Sequence, residues 1–161
     1  MTNPRYPLRI NVGFIVSQPI GYSRDFHFEY TKIHLHPDLD LEAFTGVVKV
    51  SRTPQGLVAQ GQFQAIAPAQ CVRCLVDFQQ PLRSEFSELF AFSSRTMTDS
   101  ELILPEDGNM DLGPIVREYM MLENPIKPIC KPDCQGLCTI CGENLNFSTC
   151  EHHAKITLDE A

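Results

Sequence analysis

The sequence predicts an α+β fold, mainly an antiparallel β-sheet or partial barrel, with one packed helix and a zinc-stabilised C-terminal tail. Three observations support this prediction. Apolar and polar residues alternate through much of residues 1–92, a later stretch has helical spacing, and five of the seven cysteines lie between residues 130 and 150.

The β prediction depends on period-two alternation. Phe26, Phe28 and Tyr30 fall on one face of a strand, and the intervening positions are polar. Residues 8–16 are also predicted as a strand because they are apolar and β-branched. Further strands are expected at Val47–Arg52, Leu57–Ile66 and Asp77–Phe92, with a turn at Thr53-Pro54-Gln55-Gly56 between the first two.

A polar, acidic connector is expected over residues 93–110, followed by a helix near 111–123. Asp111 is placed to cap this helix, and Pro125 to end it. Its apolar residues recur at helical spacing and predict a face that packs on the sheet: Leu112, Ile115, Val116, Tyr119 and Met120.

Two domains are therefore expected: a β-rich domain over residues 1–128, which includes the helix, and a cysteine-rich tail over residues 129–161 packed on it. The tail contains too few apolar residues to fold unaided, so it needs a metal ion to become ordered.

Composition points to a folded, soluble protein in the cytoplasm. Hydrophobic residues make up 43% of the chain, no apolar run is long enough to cross a membrane, and the N-terminus lacks the pattern of a signal peptide. The net charge of −7 divides into +2 for residues 1–83 and −9 for residues 84–161. Because nucleic-acid binding normally needs a basic face, this balance favours a protein partner over RNA.

Direct RNA contact, if it occurs, is expected in the N-terminal half, where most of the basic residues lie. The alternative is that these side chains are ordinary solvated charges. They are Arg5, Arg9, Arg24, Lys32, Lys49, Arg52, Arg73 and Arg83.

The cysteines are predicted to bind metal rather than to form disulfides. Their number is odd, and two pairs have the Cys-x2-Cys spacing at which one tight turn aims two sulfurs at a single ion. In the second pair, Gly142 follows Cys141 and permits the positive φ that such a turn needs. The first pair, Cys71 and Cys74, lacks this glycine, and Arg73 lies between its thiols, which leaves a redox pair as the alternative there.

Seven cysteines and one histidine supply eight ligands, which is enough for two closed tetrahedral Zn²⁺ sites. The favoured division has one site from Cys71, Cys74, Cys130 and Cys134, and a second from Cys138, Cys141, Cys150 and His152. The rival division is a single site that pairs Cys71 and Cys74 with Cys138 and Cys141. His153 is an alternative to His152. Closed ligand sets predict structural zinc, no catalysis and no small-molecule substrate.

Three segments resemble the YceD-like family, named for large ribosomal RNA subunit accumulation. They are Cys71-Val-Arg-Cys74-Leu75, Asp111-Leu112 with Arg117-Glu118, and Cys134-Gln-Gly-Leu-Cys138-Thr-Ile-Cys141-Gly142-Glu-Asn144-Leu145-Asn146. Many members close the last motif with Cys-x-Cys, whereas this chain has Cys150-Glu-His152, a ligand exchange that zinc permits.

The resemblance implies a bacterial or plastid protein that acts in accumulation or processing of the large-subunit ribosomal RNA. We therefore expect a non-enzymatic zinc-binding factor in large-subunit biogenesis, with large-subunit components as partners and protein contacts favoured over direct RNA contacts. The alternative function is a thiol oxidoreductase that uses Cys71 and Cys74.

Overall fold

A computed structural model describes residues 5–93 and 102–152. The strands and helices in these ranges follow the order β1 (Arg9–Asn11), α1 (Gly13–Val16), β2 (Ser23–Leu35), β3 (Leu39–Arg52), β4 (Gly56–Gln70), β5 (Asp77–Ala91), β6 (Asn109–Asp111) and α2 (Gly113–Glu123). The fold is therefore mostly β-sheet with two helices.

Four long strands form one sheet in the order β2-β3-β4-β5, which leaves β2 and β5 at its edges. The β2–β3 and β3–β4 pairs are antiparallel. The predicted turn between β3 and β4 is confirmed, because the backbone N–H of Thr53 donates to the carbonyl of Gly56 at 2.9 Å. A β-bulge between Glu42 and Thr45 shifts the β3–β4 register, and Ala43 there has a φ of +48°.

The predicted alternation is present in β2, where Phe26, Phe28 and Tyr30 are half-buried and the residues between them are exposed. In β4 the same alternation buries Phe63, while the glutamines on either side of it are exposed. One face of each strand is therefore apolar, and these faces supply the core of the sheet.

A row of aromatic rings crosses this apolar face. Phe44 of β3 stacks on Phe63 of β4 with ring centroids 5.2 Å apart, and Phe63 stacks on Phe86 of β5 at 5.9 Å. The row is close-packed, since a Cβ at Gly46 would lie 2.2 Å from a ring carbon of Phe63. Such stacked pairs add stability beyond the apolar area that they bury.

Helix α2 packs on the same apolar face. The ring of Tyr119 stacks on Phe86 at 5.4 Å, and its hydroxyl donates to Glu88 Oε1 at 2.8 Å. The carboxylate raises the pKa of Tyr119, because it stabilises the protonated hydroxyl. The apolar residues predicted to face the sheet are buried, except that Tyr119 is half-buried.

Two local predictions were wrong. Residues 8–16 were expected to form one strand, but only Arg9–Asn11 is a strand and Gly13–Val16 is a short helix. The connector was expected to be irregular to residue 110, but Asn109 and Met110 belong to β6, which pairs with β1. In both places a fully buried apolar side chain anchors the segment, Ile15 in the short helix and Met110 in β6.

The start of α2 also differs slightly from the prediction. The helix begins at Gly113 rather than at residue 111. Asp111 nevertheless accepts a hydrogen bond from the Gly113 N–H at 3.0 Å, so its carboxylate does satisfy a free amide at the helix start. The helix ends at Glu123, two residues before Pro125.

The chain divides into two compact units. Unit 1 comprises residues 1–66 and 81–123, and unit 2 comprises residues 67–80 and 124–161. Unit 2 thus contains the turn between β4 and β5 together with the cysteine-rich tail. The expected domain boundary after residue 128 stays a prediction.

Within the described ranges, neither helix has the length and apolar character that a bilayer crossing requires.

Candidate metal centres

The first cluster consists of Cys71, Cys74, Cys130 and Cys134, and it is called centre 1 below. Its four sulfur atoms all lie within 4.8 Å of one another. The Cys71–Cys134 pair is separated by 3.8 Å and the Cys74–Cys130 pair by 3.7 Å. A tetrahedron of sulfurs around zinc has edges of about 3.8 Å, given Zn–S bonds of about 2.3 Å, whereas a disulfide would need about 2.05 Å. The spacing therefore fits a metal ion.

Centre 1 is the interior of unit 2. Cys71, Cys74 and Cys134 are buried, and Cys130 is half-buried. The side chains of Phe78, Ile129 and Leu137 pack around these sulfurs. Thiolates in such a place need a cation as a partner, because a buried charge is costly unless it is paired.

The second cluster, centre 2, consists of Cys138, Cys141, Cys150 and His152. Its ligand atoms also lie within 4.8 Å of one another. It is more accessible than centre 1, since Cys141 is exposed and Cys150 and His152 are half-buried. The Nδ1 atom of His152 is buried without a hydrogen-bond partner. A buried imidazole nitrogen without a partner fits a ligand position, because coordination would satisfy it.

Centre 1 begins with a tight turn, the first knuckle. The backbone N–H of Leu75 donates to the carbonyl of Cys71 at 2.9 Å, and the N–H of Cys71 donates to the carbonyl of Val76 at 3.0 Å. Leu75, directly after Cys74, has a φ of +61°. This left-handed conformation is unfavourable for leucine. It closes the turn at the position where the sequence lacks the glycine found in the second pair.

Centre 2 begins with the same turn, the second knuckle. The N–H of Gly142 donates to the carbonyl of Cys138 at 2.9 Å, and the N–H of Cys138 donates to the carbonyl of Glu143 at 2.8 Å. Gly142, directly after Cys141, has a φ of +77°, so the predicted positive φ is confirmed. The two knuckles share one hydrogen-bond pattern, which aims amides at the first sulfur of each.

These amides change the acidity of the first thiol in each knuckle. Burial raises the pKa of Cys71, but the backbone N–H groups of Cys74, Cys130 and Arg73 outweigh it and bring the pKa to about 6. At Cys138, backbone hydrogen bonds from the second knuckle lower the pKa to about 6 against the opposing effect of burial. Both knuckles therefore favour a thiolate, the form that binds metal.

Not every thiol of centre 1 ionises easily. Burial and the neighbouring sulfurs raise the pKa of Cys130 to about 12. In contrast, the side-chain amide of Asn146 lowers the pKa of Cys134. Negative charge accumulates as the four sulfurs ionise, so a divalent cation is needed to hold all of them as thiolates.

Two side chains outside the proposed ligand set donate hydrogen bonds to Cys134. Asn146 Nδ2 donates to Cys134 Sγ at 3.4 Å, and Arg73 donates to the Cys134 carbonyl at 3.2 Å. Neither role was predicted. For Asn146, its place in the motif that resembles the family was the signal in the sequence, but spacing alone does not indicate which sulfur it contacts.

All eight residues proposed as ligands thus lie in two groups of four that can hold metal ions. The grouping matches the favoured two-site division, and the rival cluster of Cys71, Cys74, Cys138 and Cys141 is not formed. The alternative ligand His153 lies outside the described residues. The individual ligand assignments stay predictions, as does zinc as the ion.

Comparison with known proteins agrees with the family resemblance seen in the sequence. The profile of a family described as "Large ribosomal RNA subunit accumulation protein YceD" matches residues 59–160. Protein Rv2926c of Mycobacterium tuberculosis is 30% identical over 123 residues, covering 74% of this chain and 56% of that protein. YlbN of Bacillus subtilis is 34% identical over 64 residues, covering 39% of this chain and 37% of YlbN.

A chloroplastic maize protein, large ribosomal RNA subunit accumulation protein YCED homolog 1, is 39% identical over 52 residues, or 32% of this chain and 18% of that protein. The chain spans little more than half the length of the mycobacterial relatives it matches. No solved structure gives a significant match.

Proposed function

This chain belongs to the YceD family of large ribosomal RNA subunit accumulation proteins, and we propose that it is a non-enzymatic zinc-binding factor in large-subunit biogenesis. One observation carries the zinc part of the proposal: eight thiol and imidazole groups converge in two groups of four. The ribosomal part rests on the family.

Zinc is the ion that these donors suit best. Thiolate and imidazole are soft or borderline ligands, and sets of four cysteines or of three cysteines and one histidine are typical of structural zinc. Cys71, Cys74, Cys130 and Cys134 would hold one ion, and Cys138, Cys141, Cys150 and His152 the other. Each set is complete with protein ligands, so the ion would supply folding free energy and no open position for a reacting water.

The proposed role is that of a scaffold. Zinc at centre 1 would join cysteines that are 56 to 63 positions apart in the chain, and this link would give unit 2 a fixed surface. We propose that partners from the large ribosomal subunit bind this protein, and that their association supports accumulation or processing of the ribosomal RNA.

Charge favours a protein partner over direct RNA contact. The chain carries a net charge of −7, which opposes the approach of a phosphate backbone. Several arginines of the N-terminal half are also engaged within the fold. Arg9 pairs with Asp107 at 3.2 Å, Arg52 donates to the carbonyl of Val16 at 3.1 Å, and Arg73 donates to Cys134.

The thiol oxidoreductase is the weaker candidate. A redox dithiol needs an accessible nucleophile, and Cys71 is 0% exposed. Its sulfur also lies 3.8 Å from that of Cys134, within a group of four thiols and not in an isolated pair. Persistently reduced thiols of this kind fit the reducing cytoplasm, where we propose that the protein acts.

The test is a tagged pull-down from cells that lack the endogenous protein. Wild type should recover large-subunit components and restore the level of large-subunit ribosomal RNA, and Cys138→Ser, which disrupts centre 2, should do both poorly. Thr149→Ala is the matched control, since this exposed side chain lies in the same loop and is not a proposed ligand. Equal recovery and equal RNA levels for wild type and Cys138→Ser would contradict the scaffold.

A further inference from the structure

Asn146 lies in the loop of centre 2 but contacts a sulfur of centre 1. This loop runs from Cys141 to Cys150, and both of its ends are ligand positions of centre 2. The Nδ2 atom of Asn146 donates to Cys134 Sγ at 3.4 Å. Cys134 is buried, and the backbone N–H of Gly136 also donates to its sulfur, so Asn146 is its side-chain amide donor.

Three further hydrogen bonds fix the side chain and backbone of Asn146. Its Oδ1 accepts from the backbone N–H of Gln135 at 2.8 Å. Its Nδ2 and its backbone N–H both donate to Asn144 Oδ1, at 2.9 Å and 3.0 Å. The amide therefore has one orientation, with its oxygen towards the backbone beside Cys134 and its nitrogen towards the sulfur.

The backbone of the loop is also held beside centre 1. The N–H of Leu145 donates to the carbonyl of Gly136 at 2.9 Å, and Leu137 forms a β-bridge with Asn144. Forming these bonds costs less chain entropy when the two ends of the loop are already held close together. An ion at centre 2 would hold the two ends of the loop together. Less chain entropy would then be lost when Asn146 forms its hydrogen bond to Cys134.

We infer that Asn146 couples the two centres, so that a metal ion at centre 2 strengthens metal binding at centre 1. The inference rests on the proposed zinc-binding function. Asn146 acts as a positioning residue: it donates to a ligand sulfur and does not itself bind the ion. Because binding free energies are linked reciprocally, an ion at centre 1 strengthens binding at centre 2 by the same factor.

The expected loss of metal affinity at centre 1 can be taken from other residues that hydrogen-bond to metal ligands. Loss of such a partner lowers metal affinity by about 10- to 100-fold. Asn146→Asp is the informative change, because it keeps the oxygen that accepts from Gln135 and replaces only the nitrogen donor. It also places a carboxylate beside a thiolate, so we expect an effect in the upper part of that range.

The experiment uses the full chain loaded with Zn²⁺. Increasing chelator concentrations are followed by thiol alkylation, and mass spectrometry then reports whether Cys130 or Cys138 becomes labelled. Zinc affinity at centre 1 should fall at least about 10-fold in Asn146→Asp and in Cys141→Ser, with no further loss in the double variant. Thr149→Ala, an exposed position in the same loop, should match wild type.

Independent effects of Asn146→Asp and Cys141→Ser that add in the double variant would overturn the coupling, as would an unchanged centre 1 in Asn146→Asp. Co²⁺ replacing Zn²⁺ gives a second readout. The sulfur-to-cobalt charge-transfer band of centre 1 should shift in Asn146→Asp and stay unchanged in Thr149→Ala, and an unshifted band in Asn146→Asp would again overturn the coupling. If the wild-type chain holds no tightly bound Zn²⁺, the proposed function itself fails, which is a distinct result.

Discussion

The interior of unit 1 and the interior of unit 2 contain different kinds of side chain. In unit 1 the interior is a row of aromatic rings, such as Phe44 and Phe63, with fully buried aliphatic side chains around them. In unit 2 the buried interior is Cys71, Cys74 and Cys134 with a few partly buried apolar neighbours. Unit 1 therefore has an interior that apolar burial can stabilise, whereas the interior of unit 2 consists mainly of groups that could bind metal.

We expect metal removal to lower the stability of unit 2 and not that of unit 1. Chelation should unfold unit 2 and leave the strands of unit 1 intact, because only unit 2 lacks an apolar core of its own. Hydrogen exchange should show lost protection in residues 124–152 and retained protection in β2 and β3. Restoring Zn²⁺ should restore protection, whereas unchanged exchange after verified metal removal would contradict the account.

Centre 1 should matter more to stability than centre 2. Cys71→Ser and Cys141→Ser make the same chemical change, but centre 1 is buried and links residues 56 to 63 positions apart. Because closing a longer loop removes more entropy from the unfolded chain, Cys71→Ser should cost at least about 1 kcal/mol more.

Unfolding of the zinc-loaded variants by denaturant measures this difference. An equal or larger loss in Cys141→Ser would show that the exposed centre contributes as much as the buried one.

Some features of the two units could be predicted from the sequence and others could not, for physical reasons. Alternation around Phe26 and Phe28 identified β2 because one face of the strand is apolar. Spacing predicted the two groups of four residues that could hold metal ions, because tetrahedral coordination restricts where ligands can lie. Residues 13–16 were misread as strand, since a short apolar run has no period long enough to separate a helix from a strand.

Long-range contacts could not be predicted in this way. The bond from Asn146 to Cys134 joins residues 12 positions apart, and the spacing of the cysteines does not indicate where the side chain of Asn146 lies. The left-handed conformation of Leu75 was also missed, because the pattern for a knuckle looks for glycine.

Metal binding should weaken on acidification in two stages. Above about pH 6, thiols with a raised pKa such as Cys130 still carry protons that the ion must displace. Below that pH, Cys71 and Cys138 also protonate, since their pKa is about 6. A lowered pKa keeps a thiolate available until the pH falls through it, so the loss of affinity lies on the acidic side.

Competition titrations between about pH 5 and pH 8 should therefore show a slope of log affinity against pH that steepens below about pH 6, by about one decade per pH unit at each centre. A slope that stays constant across this range would contradict the assignment of these two thiols.

The smallest changes in stability are expected at the residues that close the two knuckles, Leu75 and Gly142. A Cβ at Gly142 would meet open space, so Gly142→Ala changes only the cost of a left-handed φ, about 1 kcal/mol. Leu75 already bears that cost and is 55% exposed. Leu75→Gly should therefore change stability by less than about 0.5 kcal/mol, since relief of strain offsets the added flexibility of the unfolded chain.

Denaturant unfolding of the zinc-loaded proteins compares the two variants. A loss in Leu75→Gly that equals the loss in Gly142→Ala would mean that the two turns are not equivalent.

The central claim is that two groups of four ligands each hold an ion. Native mass spectrometry of the purified full chain, with elemental analysis of the same sample, tests it most directly. The account predicts two zinc ions per chain, falling to one in the double variant Cys138→Ser/Cys141→Ser. A wild-type chain with no bound zinc, or one whose zinc content is unchanged by that double variant, would contradict it.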